Sequence, residues 1–491
     1  MPKDWRFYGR TAEIAAIKRI LGRQRWFFCR ISGRRRIGKT TLIQKALDEA
    51  GRRNLYFQVP DSDEYGVVQA FLDAVEDFYD PDDEDHRQLV GGLRKETKSL
   101  LDVAGVISTF NQNGIIVTID EFQYFHRKAL SPFCSFLQRE VDVLRDTDNG
   151  GLFVLGSIHT EMTALLEDRH SPLFGRNTDT LEIDHWDFST AFEMFREHKI
   201  DDPYHQLFLW TLFEGVPKFY RDCFEQGVLE PRDDHRQETL RRLFFEPPSP
   251  LRDEAANWFL RELRGRYDSL LKALAKREPC SHGELMAEFG EGEQKQLGGY
   301  LKILIEKYRM VDRLKPVFAA DAQRNSRYMI TDNFLTAWLS AIDRYVQQSR
   351  VQPVERVVPR ADERLREVEG FSFERMIRKL LEECSRKELG DFPITDLIRG
   401  YWNKPDGSDI EIDVVAMNSE KRMVRFGSCK RSDTKHENAA IQMFKLHVDR
   451  FLETQEGRRL TEWENSTLSM RQLLMLTAER TWRGRGTCVT T

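Results

Sequence analysis

The sequence predicts an α/β protein, with a parallel sheet in its first third, helices in the middle and a smaller α/β domain at the C-terminus. Three stretches carry that expectation. "WFFCRISGRRRIGKTTLIQKAL" reads as a buried strand, Trp26 to Ile31, a loop, and a helix from about Lys39. "GIIVTIDEFQYF" is a second buried strand, Ile115 to Ile119, ending in Asp120-Glu121, and "LFVLGS" is a third, ending at Ser157. Far downstream, "EIDVVAMNSEKRMVRFGSCKRS" gives two strand-forming runs around a turn at Asn418-Ser419. Short apolar runs separated by helix-length segments mark a parallel sheet, and the alternation continues to about Ile183.

With 491 residues the chain has room for about two to four domains. A net charge of -5 excludes a globally basic nucleic-acid coat but not a local basic patch. The seven cysteines are scattered without zinc-knuckle spacing, which suits reduced thiols. The start, "MPKDWRFYGR", lacks the apolar core of a signal peptide, and no apolar run reaches membrane-spanning length. The expectation is a cytoplasmic protein with no membrane partner.

The loop after the first strand fits G-x-x-x-x-G-K-[ST] as Gly33, Gly38, Lys39 and Thr40. Glycines let the backbone wrap phosphates so that N–H groups point inward, and the helix N-terminus adds partial positive charge. Gly33, Arg34, Arg35, Arg36, Ile37, Gly38, Lys39, Thr40 and Thr41 are therefore the candidate ATP cradle. Lys39 is expected at the β- and γ-phosphates and Thr40 on Mg²⁺. The three arginines are expected to pair with nearby acids or nucleotide. Asp120 suits the Mg²⁺ shell, and Glu121 suits the base that orients and deprotonates the attacking water. Ser157 either senses the γ-phosphate or is a hydroxyl satisfied at a strand end.

Together "FYGRTAEI", "GRRRIGKTTLI", "IDEFQ", "GSIHTEM", "SPLFGR" and "EGVPKFY" make the chain resemble the archaeal-type P-loop ATPases, close to the AAA+ and STAND groups. The resemblance implies a P-loop NTPase parallel sheet over residues 1–185 and a helical lid over 186–250. It puts Gly9, Arg10 and Glu13 on the adenine side, and Gly215 and Pro217 over the nucleotide from the lid. Arg176 matches a position that acts on phosphate in cis or across a subunit boundary of a homo-oligomer; a structural salt bridge is the alternative.

"EPPSPLRDE" breaks the helical run, and three helices with two strand-like pieces, Met310–Leu314 and Tyr328–Ile330, follow within 251–346. That is a winged-helix pattern, also implied by the resemblance. Ser281 with Glu284 reads as a capping box. The third helix, Glu293 to Lys307, carries lysines but no arginine, so protein contact and DNA binding stay level. Residues 347–370 hold two prolines and dense charge and read as a linker.

Residues 371–491 resemble the PD-(D/E)xK, restriction-endonuclease-like fold. Glu374 on a helix, Asp413 on one strand and Lys430 on the next take the catalytic positions, with Ser428 where a second carboxylate stands in that pattern. Carboxylates there hold metal and the lysine positions the water. Strand alternation puts Glu411 on the face of Asp413, so Glu411 is the candidate substitute ligand beside Glu374 and Asp413. Lys421, Arg422, Arg425, Lys430 and Arg431 form a basic cluster suited to a phosphate backbone. The expected function is an ATP-driven switch or motor coupled to a metal-dependent nuclease-like domain acting on nucleic acid, DNA first. The alternative is a DNA-binding or STAND-type signalling scaffold, with a protein trigger and an inactive nuclease frame.

Overall fold

A computed structural model describes residues 4–80, 82, 90, 93–157, 159–255, 263, 266–319, 325–390, 392–404, 406–430 and 437–469. The chain forms two compact units. One is Gly9–His185 with Val216–Lys218; the other is drawn from the described residues of Met1–Tyr8, Trp186–Gly215 and Phe219–Thr491.

The first unit holds a five-stranded sheet: β1 (Phe28–Gly33), β2 (Asn54–Gln58), β3 (Ile116–Asp120), β4 (Gly151–Gly156) and β5 (Asp179–Ile183), in the order β2-β3-β4-β1-β5. Every neighbouring pair is parallel. β1, β3 and β4 are buried almost throughout, as expected of central strands covered on both faces. The helices Glu64–Phe78, Leu100–Gln112 and Pro132–Leu144 place Val67, Phe71, Val103, Phe110, Phe133 and Leu137 against the sheet. Where the buried Trp26 must place its indole N–H, Nε1 donates to Asn111 Oδ1 at 2.5 Å. Because all strands run the same way, the ends of β1, β3 and β4 meet at one edge, where open α/β sheets bind ligands.

In the second unit, the helices Tyr267–Ala275, His282–Ala287 and Glu291–Glu306 surround a three-stranded sheet of β6 (Cys280–Ser281), β7 (Val311–Leu314) and β8 (Arg327–Ile330), ordered β6-β8-β7. The two-residue β6 has no counterpart in the sequence reading, being too short to leave a pattern. Ser281 and Glu284 form the expected capping box.

Residues 347–370 are largely not a linker. A single helix runs from Val354 to Arg386, with Pro353 at its N-cap and Pro359 inside it. Val357, Val358, Ala361, Leu365, Val368, Phe373, Met376 and Ile377 recur at helical spacing and are buried. That packing outweighs about 3 kcal/mol for an interior proline. Its inward charges are matched: Arg236 pairs with Asp362 and Glu369, and Glu383 accepts from the N–H groups of Phe188 and Ser189 at 2.7 and 3.1 Å. A boundary at residue 371 would cut this helix.

The last sheet is β9 (Arg399–Trp402), β10 (Glu411–Asn418), β11 (Met423–Ser428) and β12 (Glu464–Ser469), ordered β12-β11-β10-β9, with β11 and β12 parallel and the other pairs antiparallel. The helix Glu437–Glu453 packs Val448 and Phe451 against it. Arg431 of the basic cluster lies outside the described residues. No helix among the described residues is long and apolar enough to cross a membrane.

Candidate active site

The phosphate loop joins β1 to the helix Lys39–Glu49. Gly38, the N-cap, sits at φ 88, a conformation that favours glycine. A Cβ on Gly33 would stand 2.4 Å from the Ile183 carbonyl of β5, so no side chain fits there. Lys39 Nζ spans the loop, donating to the carbonyls of Gly33 at 3.0 Å and Arg34 at 3.1 Å. Burial lowers its pKa to about 8; Asp120 and Glu121 pull it back up, and Arg35 lowers it further.

Thr40 Oγ1 donates to Asp120 Oδ2 at 2.5 Å, so the loop and β3 meet as the Mg²⁺ reading requires. Mg²⁺ favours hard oxygen donors and takes much of its shell from phosphates and water, so a hydroxyl beside one carboxylate suits it. Among the described residues no three His, Cys, Asp or Glu side chains are grouped to hold a metal by themselves. Tyr56 Oη also donates to Asp120 Oδ2, at 2.8 Å, and burial followed by Asp120 raises its pKa. Sequence reasoning missed Tyr56: nothing in "NLYFQ" sets it apart from a half-buried strand tyrosine.

Glu121, at φ 54 just past β3, turns its carboxylate back toward the loop, with Oε1 3.6 Å from Arg35 Nη1. Arg34 Nη1 lies 3.4 Å from His185 Nε2. Arg36 is left-handed at φ 65, while Ile37 is buried and its carbonyl accepts from Arg10 Nη2 at 3.3 Å. Arg10 also pairs with Glu13 at 2.8 Å, which ties the Gly9-Arg10 turn to the phosphate loop. Thr41 is exposed on the helix, and Ser157 follows β4 at the same sheet edge.

One expected contributor, Arg176, has its side chain engaged elsewhere. Arg176 makes a two-point pair with Asp142, both contacts at 2.9 Å, which is the salt-bridge alternative. Gly215 accepts from Trp186 N at 2.8 Å within the second unit, and Pro217 opens the helix Pro217–Glu225.

The C-terminal candidates are brought together in part. Asp413 Oδ2 accepts from Cys429 N at 2.6 Å and Ser428 Oγ at 3.3 Å, and lies 3.7 Å from Lys430 Nζ. Asp413 falls where the β9–β10 register shifts, between Ile412 and Val415, and such irregularities re-aim side chains. Burial pushes Glu374 up to about 7; Arg378, 3.0 Å away, opposes this, and Asp413 and Glu411 reinforce it. Glu411, however, is no substitute ligand. Its carboxylate pairs with Arg327 at 2.7 Å, and Arg327 also lies over the Trp402 ring. Sequence reasoning missed Arg327 because it lies 84 residues away from Glu411. With Ser428 neutral and Glu411 paired, Glu374, Glu411 and Asp413 do not form a metal-holding group.

Comparison with known proteins identifies an ATPase domain in the N-terminal part of the chain. Residues 7–218 match the family described as an ATPase domain predominantly from Archaea, and residues 338–441 match one described as archaeal and bacterial proteins of unknown function. The chain is 25% identical to an uncharacterized protein of Methanocaldococcus jannaschii over 438 residues, 87% of this chain and 88% of that one. A Walker-type ATPase of Pyrococcus abyssi aligns at TM-score 0.49 and 17% identity, over 69% of this chain and 98% of that one. The ORC2 protein of Aeropyrum pernix aligns at TM-score 0.48 and 13% identity, over 75% and 96%. The chain therefore carries an archaeal-type P-loop ATPase domain, followed by a C-terminal domain of a family whose function is unknown.

Proposed function

We propose that this ATPase is a switch whose nucleotide state governs a nuclease-like C-terminal domain engaging nucleic acid, DNA in the first instance. The observation that carries the switch is the 2.5 Å contact between Thr40 and Asp120, with Lys39 and Glu121 at the same strand ends. Lys39 and the loop N–H groups bind the phosphates, Thr40 and Asp120 hold Mg²⁺, and Glu121 orients the attacking water and takes its proton. Mg²⁺ held there would supply charge neutralisation on the phosphates. The bonded γ-phosphate contacts this edge differently from the products, and that difference is what a switch transmits.

At the C-terminus, the support is the meeting of Asp413, Ser428, Lys430 and the neighbouring Glu374. Residues 251–346 serve as a winged helix in this reading, the assembly is cytoplasmic, and a protein trigger or a second copy of the chain adjusts the switch. A second reading has a specific observation behind it. The Glu411–Arg327 pair leaves the acid set one carboxylate short, which favours a frame that grips nucleic acid, or serves a signalling scaffold, without cutting. Incubating the wild type and Asp413→Ala with DNA and RNA in Mg²⁺ or Mn²⁺, with and without ATP, decides between them. Cleavage that Asp413→Ala abolishes supports the nuclease. Salt-sensitive binding with no cleavage in either protein supports the grip, and no nucleic-acid binding at all sinks both the nuclease and the grip and favours the signalling scaffold.

A further inference from the structure

Gln123 lies in the single turn Phe122–His126 after β3, and its side chain is 1% exposed. Its Nε2 donates to Glu121 Oε2. That partner fixes which end of the amide is which, because a carboxylate can only accept. The other end, Oε1, is buried without a hydrogen-bond partner among the described residues. It faces the end of β4, where a Cβ on Gly156 would stand 2.8 Å from it. A buried carbonyl without a donor destabilises a fold, and an apolar side chain of similar size would remove the problem.

The geometry around Glu121 shows what the amide does there. Oε2 is anchored inward by Gln123, while Oε1 is the oxygen facing Arg35 and the phosphate loop. The backbone of Glu121 is left-handed, a conformation that a non-glycine residue holds only when its surroundings fix it. We propose that Gln123 is the positioning residue of the hydrolytic base. By holding Oε2, it presents Oε1 to the water that attacks the terminal phosphorus. In that step the water oxygen bonds to phosphorus, the bond to the β-phosphate oxygen breaks, and the water proton passes to Glu121 Oε1. Gln123 touches none of the reacting atoms and acts only through Glu121, so the proposal rests on the reading of Glu121 as base.

The test compares Gln123→Met, Glu121→Gln and the double variant in the full-length chain, by ATP affinity, kcat and thermal melting. Gln123→Met is expected to melt no lower than wild type, because the orphaned carbonyl is gone. It should bind ATP with a Kd within about threefold of wild type and lose about 100-fold in kcat, the size of a roughly 1 Å misplacement. In the Glu121→Gln background the same change should alter the residual rate less than about twofold, since its only route of action is absent. A full-strength kcat in Gln123→Met overturns the proposal. Equal losses in both backgrounds, or a joint fall in melting temperature, affinity and kcat, overturn it too, because each shows an effect outside Glu121. Undiminished hydrolysis in the Glu121→Gln single variant is a separate result: it overturns Glu121 as base.

Discussion

The phosphate-loop site and the C-terminal acid cluster are both assembled at strand ends, yet only the first closes on itself. At the loop, Asp120 receives Thr40 and Tyr56, and Glu121 is held between Gln123 and Arg35. Each carboxylate there faces hydroxyls, amides or cations that also belong to the site. At the C-terminus, Glu411 and Asp413 share a strand face but take different partners, Arg327 in one case and Ser428, Cys429 and Lys430 in the other. Shared orientation along a strand is a matter of period two; shared purpose depends on which cation reaches each acid.

The largest expected effect lies at the loop. Lys39→Ala should reduce ATP hydrolysis about 100- to 1000-fold, the range for losing one positioned charge donor. Nucleic-acid binding measured in the same variant should lose its dependence on ATP. If both survive, the ATPase site is not the driver, and the contrast between the regions collapses.

A second test asks whether a raised carboxyl in the C-terminal unit marks a site at all. Glu278 is also pushed up to about 7 by burial, but it accepts from Ile330 N at 2.6 Å and Thr336 Oγ1 at 3.2 Å, with Arg375 as its cationic influence. Its raised pKa means that the unfolded chain ionises first as pH rises. Stability is therefore fully present below the unfolded carboxyl pKa and is lost between about pH 4.3 and 7, by up to about 4 kcal/mol. Glu278→Gln should flatten that slope in denaturant titrations across this window. An unchanged slope would show that Glu278 ionises as freely in the fold as outside it.

The smallest effect, and the one that bears most closely on the missing carboxylate, is Ser428→Asp. It places a second acid beside Asp413, so Mn²⁺ affinity measured calorimetrically should rise about tenfold. Without metal the two carboxylates repel, and the variant should melt below wild type until Mn²⁺ is added. No gain in affinity would mean that Asp413 is aimed away from any shared metal position.

Much of the first unit was legible because its chemistry is local. Strand, loop and helix follow one another within Phe28–Glu49, so the positions of Gly38, Lys39 and Thr40 follow from chain order alone. Asp120 could be assigned because an acid at the end of a buried strand has one sheet edge to occupy. The helix Val354–Arg386 was not legible: prolines and dense charge look like a linker when the surface that buries Val357 and Leu365 is out of sight. Tyr56, Gln123 and Arg327 were hidden for the same reason, since each matters through a partner that only the fold supplies.

By itself, then, the sequence determined the phosphate loop, the acid pair at the end of β3 and the strand carrying Asp413, because residue type and spacing within one or two elements are enough. The tertiary structure decided who holds whom: Arg176 with Asp142, Glu411 with Arg327, and Glu121 with Gln123. An ion pair or hydrogen bond is a short-range interaction between groups brought together by packing, and its strength depends on distance and burial, neither of which is written in the order of residues.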